Sequence, residues 1–209
     1  MLTPELMLSG YAQGVFPMAQ SRDDVELHWV DPRLRGIIPL GGFHVSRSLR
    51  RAILRGGRDI RADSAFAQVV TLCAARGETW INAPLIGLYD ALHRMGHAHS
   101  LEVWQDGVLT GGVFGVTLGA AFFGESMFST RTDASKIALA YLVDRLRQGG
   151  FTLFDTQFQS PHLSTLGAVE ITRADYRRRL ASALDITADF ARPETPSPQL
   201  LMQRSTQTS

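Results

Sequence analysis

Between Ser100 and Phe154 the apolar residues change their period twice, and no other feature limits the possible folds as much. Leu101-Glu102-Val103-Trp104 leads to Asp106-Gly107, a two-residue hairpin signal, and Val108 to Leu118 continues as a strand. Another short strand follows over Ala121 to Glu125. Ala134 to Gln148 then places Ile137, Tyr141, Leu142 and Leu146 at helical spacing, and Phe151-Thr152-Leu153-Phe154 reads as a buried strand. A hairpin-led sheet, a long crossover helix and a return strand make the class α/β (α+β) and are compatible with an acetyltransferase-like sandwich. Periodicity alone does not single out that fold.

The N-terminal part reads differently. Thr3-Pro4 opens a helix with Leu6, Met7 and Tyr11, and Gly14 follows. Residues 15–43 look irregular, punctuated by Pro17, Pro32, Pro39 and Gly41-Gly42. Ser46 can cap a helix with Leu49, Ile53 and Leu54 on its apolar side. Asp63 is expected to cap a second, with Phe66, Val69, Val70 and Cys73 inward, and Asn82-x-Pro84 opens a third. Cys73 is expected in the core, as free cysteines usually are. Towards the end come a short helix from Pro161, a last strand over Ala168 to Ile171, and Thr172-x-x-Asp175 as a capping box. The expected organisation is a small, mainly helical domain over 1–80, a larger α/β domain over 81–185, and a disordered tail over 186–209, where Pro, Ser, Thr and Gln accumulate.

No apolar run approaches the ~20 residues needed to cross a bilayer, and residues 1–7 lack the features of a signal peptide. The expectation is a cytoplasmic, membrane-free, monomeric protein. Net charge is only +1, so charge alone names no partner; its distribution says more. Arg47, Arg50, Arg51, Arg55, Arg58 and Arg61 crowd one stretch with few acids nearby, and guanidinium forks suit phosphate oxygens. Arg47, Arg50, Arg51 and Arg55 fall on the outward side of the helix that Ser46 opens, which makes them candidates for binding RNA.

His93, His97 and His99 are close together, but no cysteine or acid completes a ligand spacing, so no metal is expected. The glycines from Gly107 to Gly119 lie within a hairpin pattern. They lack the strand-to-helix setting of a dinucleotide loop, and the reading without function is a bulge or a close approach of backbones. Two places resist so plain a reading. In Phe122-Phe123-Gly124-Glu125-Ser126-Met127 a carboxylate interrupts an aromatic stretch, and in Asp155-Thr156-Gln157 two polar side chains share a face at the end of a buried strand. A solvated strand end and a strand leaving the core would give the same patterns.

Taken together, Gly14-Val15-Phe16-Pro17, Trp80-Ile81, Gly96 to Trp104, Gly111-Gly112, Gly124 to Ser129, Ala134-Ser135-Lys136, Asp155-Thr156-Gln157 and Leu166-Gly167-Ala168 strongly resemble the bacterial leucyl/phenylalanyl-tRNA–protein transferase family, over roughly residues 5–184. The resemblance implies an acetyltransferase-like domain that uses no cofactor and moves leucine or phenylalanine, methionine less well, from aminoacyl-tRNA to proteins with N-terminal Arg or Lys, marking them for degradation. Carried across, Trp80 stacks on the terminal adenine, and Val113, Phe122, Met127 and Leu139, with Ser126, bind the substrate's amino acid. Glu125, Asp155 and Gln157 match the acceptor-binding and catalytic positions. Met18 stands where many members carry an aromatic ring after Phe-Pro, which leaves open whether a second ring faces the adenine.

Two other readings compete. An acyl-CoA-dependent acetyltransferase needs a glycine turn before the long helix, and this chain has Ser129-Thr130-Arg131-Thr132-Asp133 there. A non-catalytic RNA-binding adaptor would use the arginine cluster but would leave Glu125, Asp155 and Gln157 unexplained.

Overall fold

The computed structural model describes residues 2–24, 26–77 and 79–206. Seven strands form one sheet in the order β4-β5-β6-β7-β8-β3-β9: β4 (Asp59–Ala62), β5 (Ala98–Gln105), β6 (Val108–Leu118), β7 (Ala121–Ser129), β8 (Leu153–Gln157), β3 (Leu34–Ile37) and β9 (Val169–Thr172). β1 (Phe16–Met18) and β2 (His28–Val30) pair separately. Within the large sheet every neighbouring pair is antiparallel except β7 and β8. Those two run parallel because the chain crosses over through a helix, α5 (Ala134–Gln148), before it returns.

Helices cover both faces. Successive strand residues point to opposite sides, so Phe122 packs in the cluster with Ile137 and Leu142 of α5, while Phe123 packs with Val69 and Leu85. The second cluster is built by α1 (Pro4–Ala12), α3 (Phe66–Ala74), α4 (Ala83–Arg94) and α7 (Arg173–Leu184). The first also takes α2 (Arg47–Leu54) through Leu49 and Ile53, and α8 (Pro198–Thr206) through Leu201 and Met202. A short α6 (Pro161–Ser164) follows β8.

Local chemistry accounts for most boundaries. Side-chain oxygens of Thr3, Ser46, Asn82 and Thr172 accept from Leu6, Leu49, Leu85 and Asp175, each satisfying a helix-end N–H. Asp106 and Gly107 both take positive φ, 53° and 73°, as a type I′ hairpin turn requires. Gly111 allows β6 to lie against the start of α5: a Cβ there would stand 2.6 Å from the Ala134 Cβ. Cys73 is buried in the core, and burial pushes its thiol up to about 12.

Three expectations are corrected. Asp63 does not cap α3. It sits at φ 56° and accepts from the Ser100 N–H at 2.8 Å, and α3 is instead met by Glu102, which accepts from Ala65 N–H at 2.8 Å. The unit over residues 1–80 is not a separate helical body, because β3 lies between β8 and β9 and β4 extends the opposite edge. The tail over 186–209 does not fray through its described part. Phe190, Leu201 and Met202 are buried, Arg145 Nη1 donates to the Phe190 carbonyl at 2.7 Å, and Arg204 pairs with Asp144 at 2.8 Å. Residues 207–209 of that tail lie outside the described residues.

Candidate active site

The site lies where β7 and β8 part. Their register runs Ala121↔Leu153, Phe122↔Phe154 and Phe123↔Asp155. β8 is also paired on its other side with β3, Ile37 opposite Asp155 and Gly36 opposite Gln157. Beyond that register Gly124, Glu125, Ser126 and Met127 of β7 and Thr156 and Gln157 of β8 line a cavity of about 330 Å³. Val113 of β6, Leu139 of α5, Phe154, Phe158, Trp80 and Arg76 complete much of its wall. The volume is at the small end of ligand sites, and the wall is mainly apolar with a few polar groups at one side.

Beneath that polar side lies a buried ion pair. Arg35 donates to Asp155 from Nε at 2.9 Å and from Nη2 at 2.7 Å, in a bidentate fork. Its guanidinium lies 4.4 Å from the ring centroids of both Phe16 and Tyr176, and Nη1 donates to the Gly14 carbonyl at 3.1 Å. Burial works against this charge, and the adjacent Asp155 carboxylate outweighs it, so the Arg35 pKa is raised. The Gly14 to Pro17 run therefore has a physical role: it supplies one ring and one carbonyl to the cradle of Arg35.

Asp155 has no free lone pair left to offer. Besides Arg35, Oδ2 accepts from Tyr176 OH at 2.7 Å, and Oδ1 accepts the backbone N–H of Gln157 at 2.7 Å. That last bond fixes Gln157 at φ 64°, a left-handed conformation that costs a side-chain-bearing residue about 1–2 kcal/mol. The turn aims the Gln157 amide at Glu125: Nε2 donates to Glu125 Oε1 at 3.0 Å. Tyr11 OH donates to the same oxygen and Tyr89 OH to Oε2, each at 2.6 Å. Burial raises the Glu125 pKa to about 7, against the lowering effect of its three donors. Both tyrosines are pushed well above their ordinary value by burial and by the Glu125 charge, so they remain donors. The ionised form of Glu125 offers only acceptors, so the Gln157 amide turns its NH₂ to it, and its carbonyl oxygen is left for another partner.

Of the residues singled out in the sequence, Trp80, Val113, Glu125, Ser126, Met127, Leu139 and Gln157 meet at this cavity. Phe122 does not line it. It is 1 % exposed and packs edge-on against Phe154 at 5.4 Å, because β7 and β8 are still paired there, Phe122 opposite Phe154, ahead of the point where they part. Asp155 is fully buried below the cavity, in contact with Gln157 rather than with the open space. Met18 is partly buried in β1 opposite His28 and is not part of the cavity wall. Arg47, Arg50, Arg51 and Arg55 are all exposed along α2 and its C-terminal cap. Arg58 and Arg61 are otherwise engaged: Arg58 donates to the Ala52 carbonyl at 2.9 Å, and Arg61 pairs with Asp59 at 2.6 Å over the Trp104 ring.

Several groups at the site left no mark in the sequence. Arg35 falls in a stretch that reads as irregular, and Tyr11, Tyr89 and Tyr176 occupy ordinary inward positions of helices. Arg76, after α3, donates to Ser126 Oγ and, at 2.8 Å, to the Met127 carbonyl, bracing the rim. A buried Arg or a tyrosine hydroxyl at an apolar helix position becomes informative only once its carboxylate partner is known.

The family model described as "Leucyl/phenylalanyl-tRNA protein transferase" matches residues 37–181, and the one for the N-terminal domain of that family matches residues 1–33. A protein of Cereibacter sphaeroides named leucyl/phenylalanyl-tRNA–protein transferase is 63% identical over 209 residues, covering 100% of this chain and 98% of the relative. One of the same name from Ruegeria pomeroyi is 63% identical over 208 residues, covering 100% and 99%. Among solved structures, the crystal structure of FemX matches with a TM-score of 0.55 at 13% identity, over 78% of this chain and 65% of that one, a likeness of fold alone. Among the described residues no helix is long and apolar enough to cross a membrane.

Proposed function

This chain belongs to the leucyl/phenylalanyl-tRNA–protein transferase family, and from that premise we infer that the cavity between β7 and β8 holds the aminoacyl end of leucyl- or phenylalanyl-tRNA while a protein's N-terminal amine attacks the ester. It is an aminoacyltransferase. The observation that carries the detailed reading is the placement of Gln157, held at positive φ by Asp155 and turned by Glu125, at the polar edge of an apolar cavity.

Val113, Met127 and Leu139 surround the leucine or phenylalanine side chain, with Ser126 at the rim and Phe154 as its aromatic floor. Met127 adapts to both shapes, and methionine itself is accepted less well. Discrimination against smaller side chains is limited by the ~1–3 kcal/mol that a methylene contributes. Trp80 gives the terminal adenine a stacking face at the mouth. The Arg47, Arg50, Arg51 and Arg55 face holds tRNA phosphates, and because such contacts read shape and charge it suits more than one tRNA.

An α-amine with a pKa near 8 is partly neutral at physiological pH, so the enzyme's task is placement and charge stabilisation. The Gln157 carbonyl accepts from the incoming amine and aims its lone pair at the ester carbon. The new C–N bond forms, the ester C–O bond breaks, and the ribose hydroxyl leaves with the proton the amine gives up. Both Glu125 oxygens are occupied by Tyr11, Tyr89 and Gln157. Its part is therefore to orient Gln157 and to lend negative potential to the cationic acceptor, a protein beginning with Arg or Lys. The product is a protein newly marked for degradation, and the enzyme works as a cytoplasmic monomer. The acceptor reading is tested with leucyl-tRNA and peptides that differ only in residue one. Arg and Lys peptides gain leucine and a Glu peptide does not; equal transfer to all three would contradict it.

A further inference from the structure

A second cavity, of about 420 Å³, adjoins the first: Arg76 and Met127 line both. Its polar wall consists of Arg76, Ser129, Thr130, Ser135 and His162, with no carboxylate among the described residues that line it. Lys136, the only lysine of the chain, follows Ser135 directly. Burial and then the Lys136 charge lower the His162 pKa. Lys136 is partly exposed and shares Asp133 at 3.2 Å, so it is not saturated by a buried partner. The first turn of α5, which begins here, contains no acidic residue and has no side-chain cap from Asp133. None of these groups has a part in the transfer chemistry derived above, apart from Arg76 at the shared rim.

We propose that this second cavity binds the phosphodiester on the 5′ side of the donor's terminal adenosine. The inference rests on the reading of the first cavity as the aminoacyl site. With the amino acid there and the adenine against Trp80, which follows Arg76 by four residues, the first anionic group along the RNA is that phosphodiester. Arg76 and Lys136 supply charge, and the hydroxyls of Ser129, Thr130 and Ser135 supply neutral donors in the manner of other phosphate sites. The cationic start of an acceptor protein is repelled by the same charges, so the two reactants enter by different sides of the loop that carries Arg76 and Trp80.

The test compares two donors: leucyl-adenosine, which has no phosphodiester, and the leucylated cytidylyl-adenosine dinucleotide, which has one. The wild-type enzyme should use the dinucleotide with a kcat/KM at least about ten-fold higher, the low end for a hydrogen bond to a charged group. In Lys136→Gln and in His162→Asn that ratio should fall towards one, and Lys136→Arg should restore it, which separates lost charge from a damaged fold. An unchanged ratio in both variants overturns the site. So does a rise in KM for the acceptor peptide with the donor ratio intact, which would give the cavity to the acceptor. No transfer from either donor by the wild-type enzyme would instead bring down the aminoacyl reading, and this site with it.

Discussion

Asp155→Ala and Gln157→Ala should both abolish most turnover, yet they should differ sharply in stability. Asp155 compensates a guanidinium that is 1 % exposed and wedged between two rings. Removing one partner of a buried pair leaves the other charge uncompensated, which costs about 3–5 kcal/mol. For a chain of this size each kcal/mol lowers the melting temperature by roughly 2–4 °C, so Asp155→Ala should melt roughly 6–20 °C below wild type. Gln157→Ala loses one bond to Glu125, which keeps both tyrosine donors, so the loss should be only about 1–2 kcal/mol. Alanine at φ 64° is no more strained than glutamine was. Both variants lose the placement of the attacking amine, for which a factor of about 10² in kcat is a reasonable scale. Thermal unfolding and single-turnover transfer from leucyl-tRNA read the two effects separately. If Asp155→Ala melted within about 2 °C of wild type, the buried pair would not be what holds this edge of the site, and the argument would fail.

Glu125→Gln should change how stability depends on pH. The folded-state pKa of Glu125 is raised from 4.5 to about 7, so its contribution is fully present below 4.5 and is lost as pH rises through about 7. Wild type should lose on the order of 3 kcal/mol across that window relative to Glu125→Gln, and parallel stability curves for the two proteins would refute it. Trp80→Ala should weaken binding of an aminoacyl-adenosine analogue by about 1–3 kcal/mol, and by more than Met18→Ala does; equal losses in a titration would put Met18 against the base. Neutralising two of Arg47, Arg50, Arg51 and Arg55 should raise the KM for charged tRNA and flatten its log–log salt slope by roughly 0.7–0.9 per lost phosphate contact. Transfer from leucyl-adenosine should barely change, and equal damage to both donors would make α2 a structural face.

Where sequence reading succeeded, the determinants were local. Thr3, Ser46, Asn82 and Thr172 each reach a backbone N–H three residues on, and Asp106-Gly107 turns the hairpin by its own conformational preference. Distant partners defeated it. Asp63 looked like a cap, but Glu102, some forty residues further along, took that role. β3 is four residues long and becomes a strand only because β8 and β9 pair with it on both sides. Composition misled at the C-terminus, where the Pro- and Ser-rich texture hid Phe190, Leu201 and Met202, each of which finds a place against α5 and the sheet. At the site, Trp80, Val113, Glu125, Ser126, Met127, Leu139 and Gln157 were legible through the family resemblance, whereas Arg76 on the same wall was missed. Arg35, Tyr11, Tyr89 and Tyr176, which hold Asp155 and Glu125 from behind, were not legible, because their roles exist only between residues more than twenty positions apart.

The central claim is that an aminoacyl ester on RNA, and not an acyl thioester, is the donor bound between β7 and β8. It is tested most directly by incubating the enzyme with leucyl-tRNA, acetyl-CoA and a peptide beginning with arginine, then reading the peptide's mass and its first residue. The expected result is a peptide lengthened by one leucine at its N-terminus, with the tRNA deacylated in equal amount and the acetyl-CoA untouched. An acetylated peptide, or an unmodified peptide beside intact leucyl-tRNA, would contradict the account.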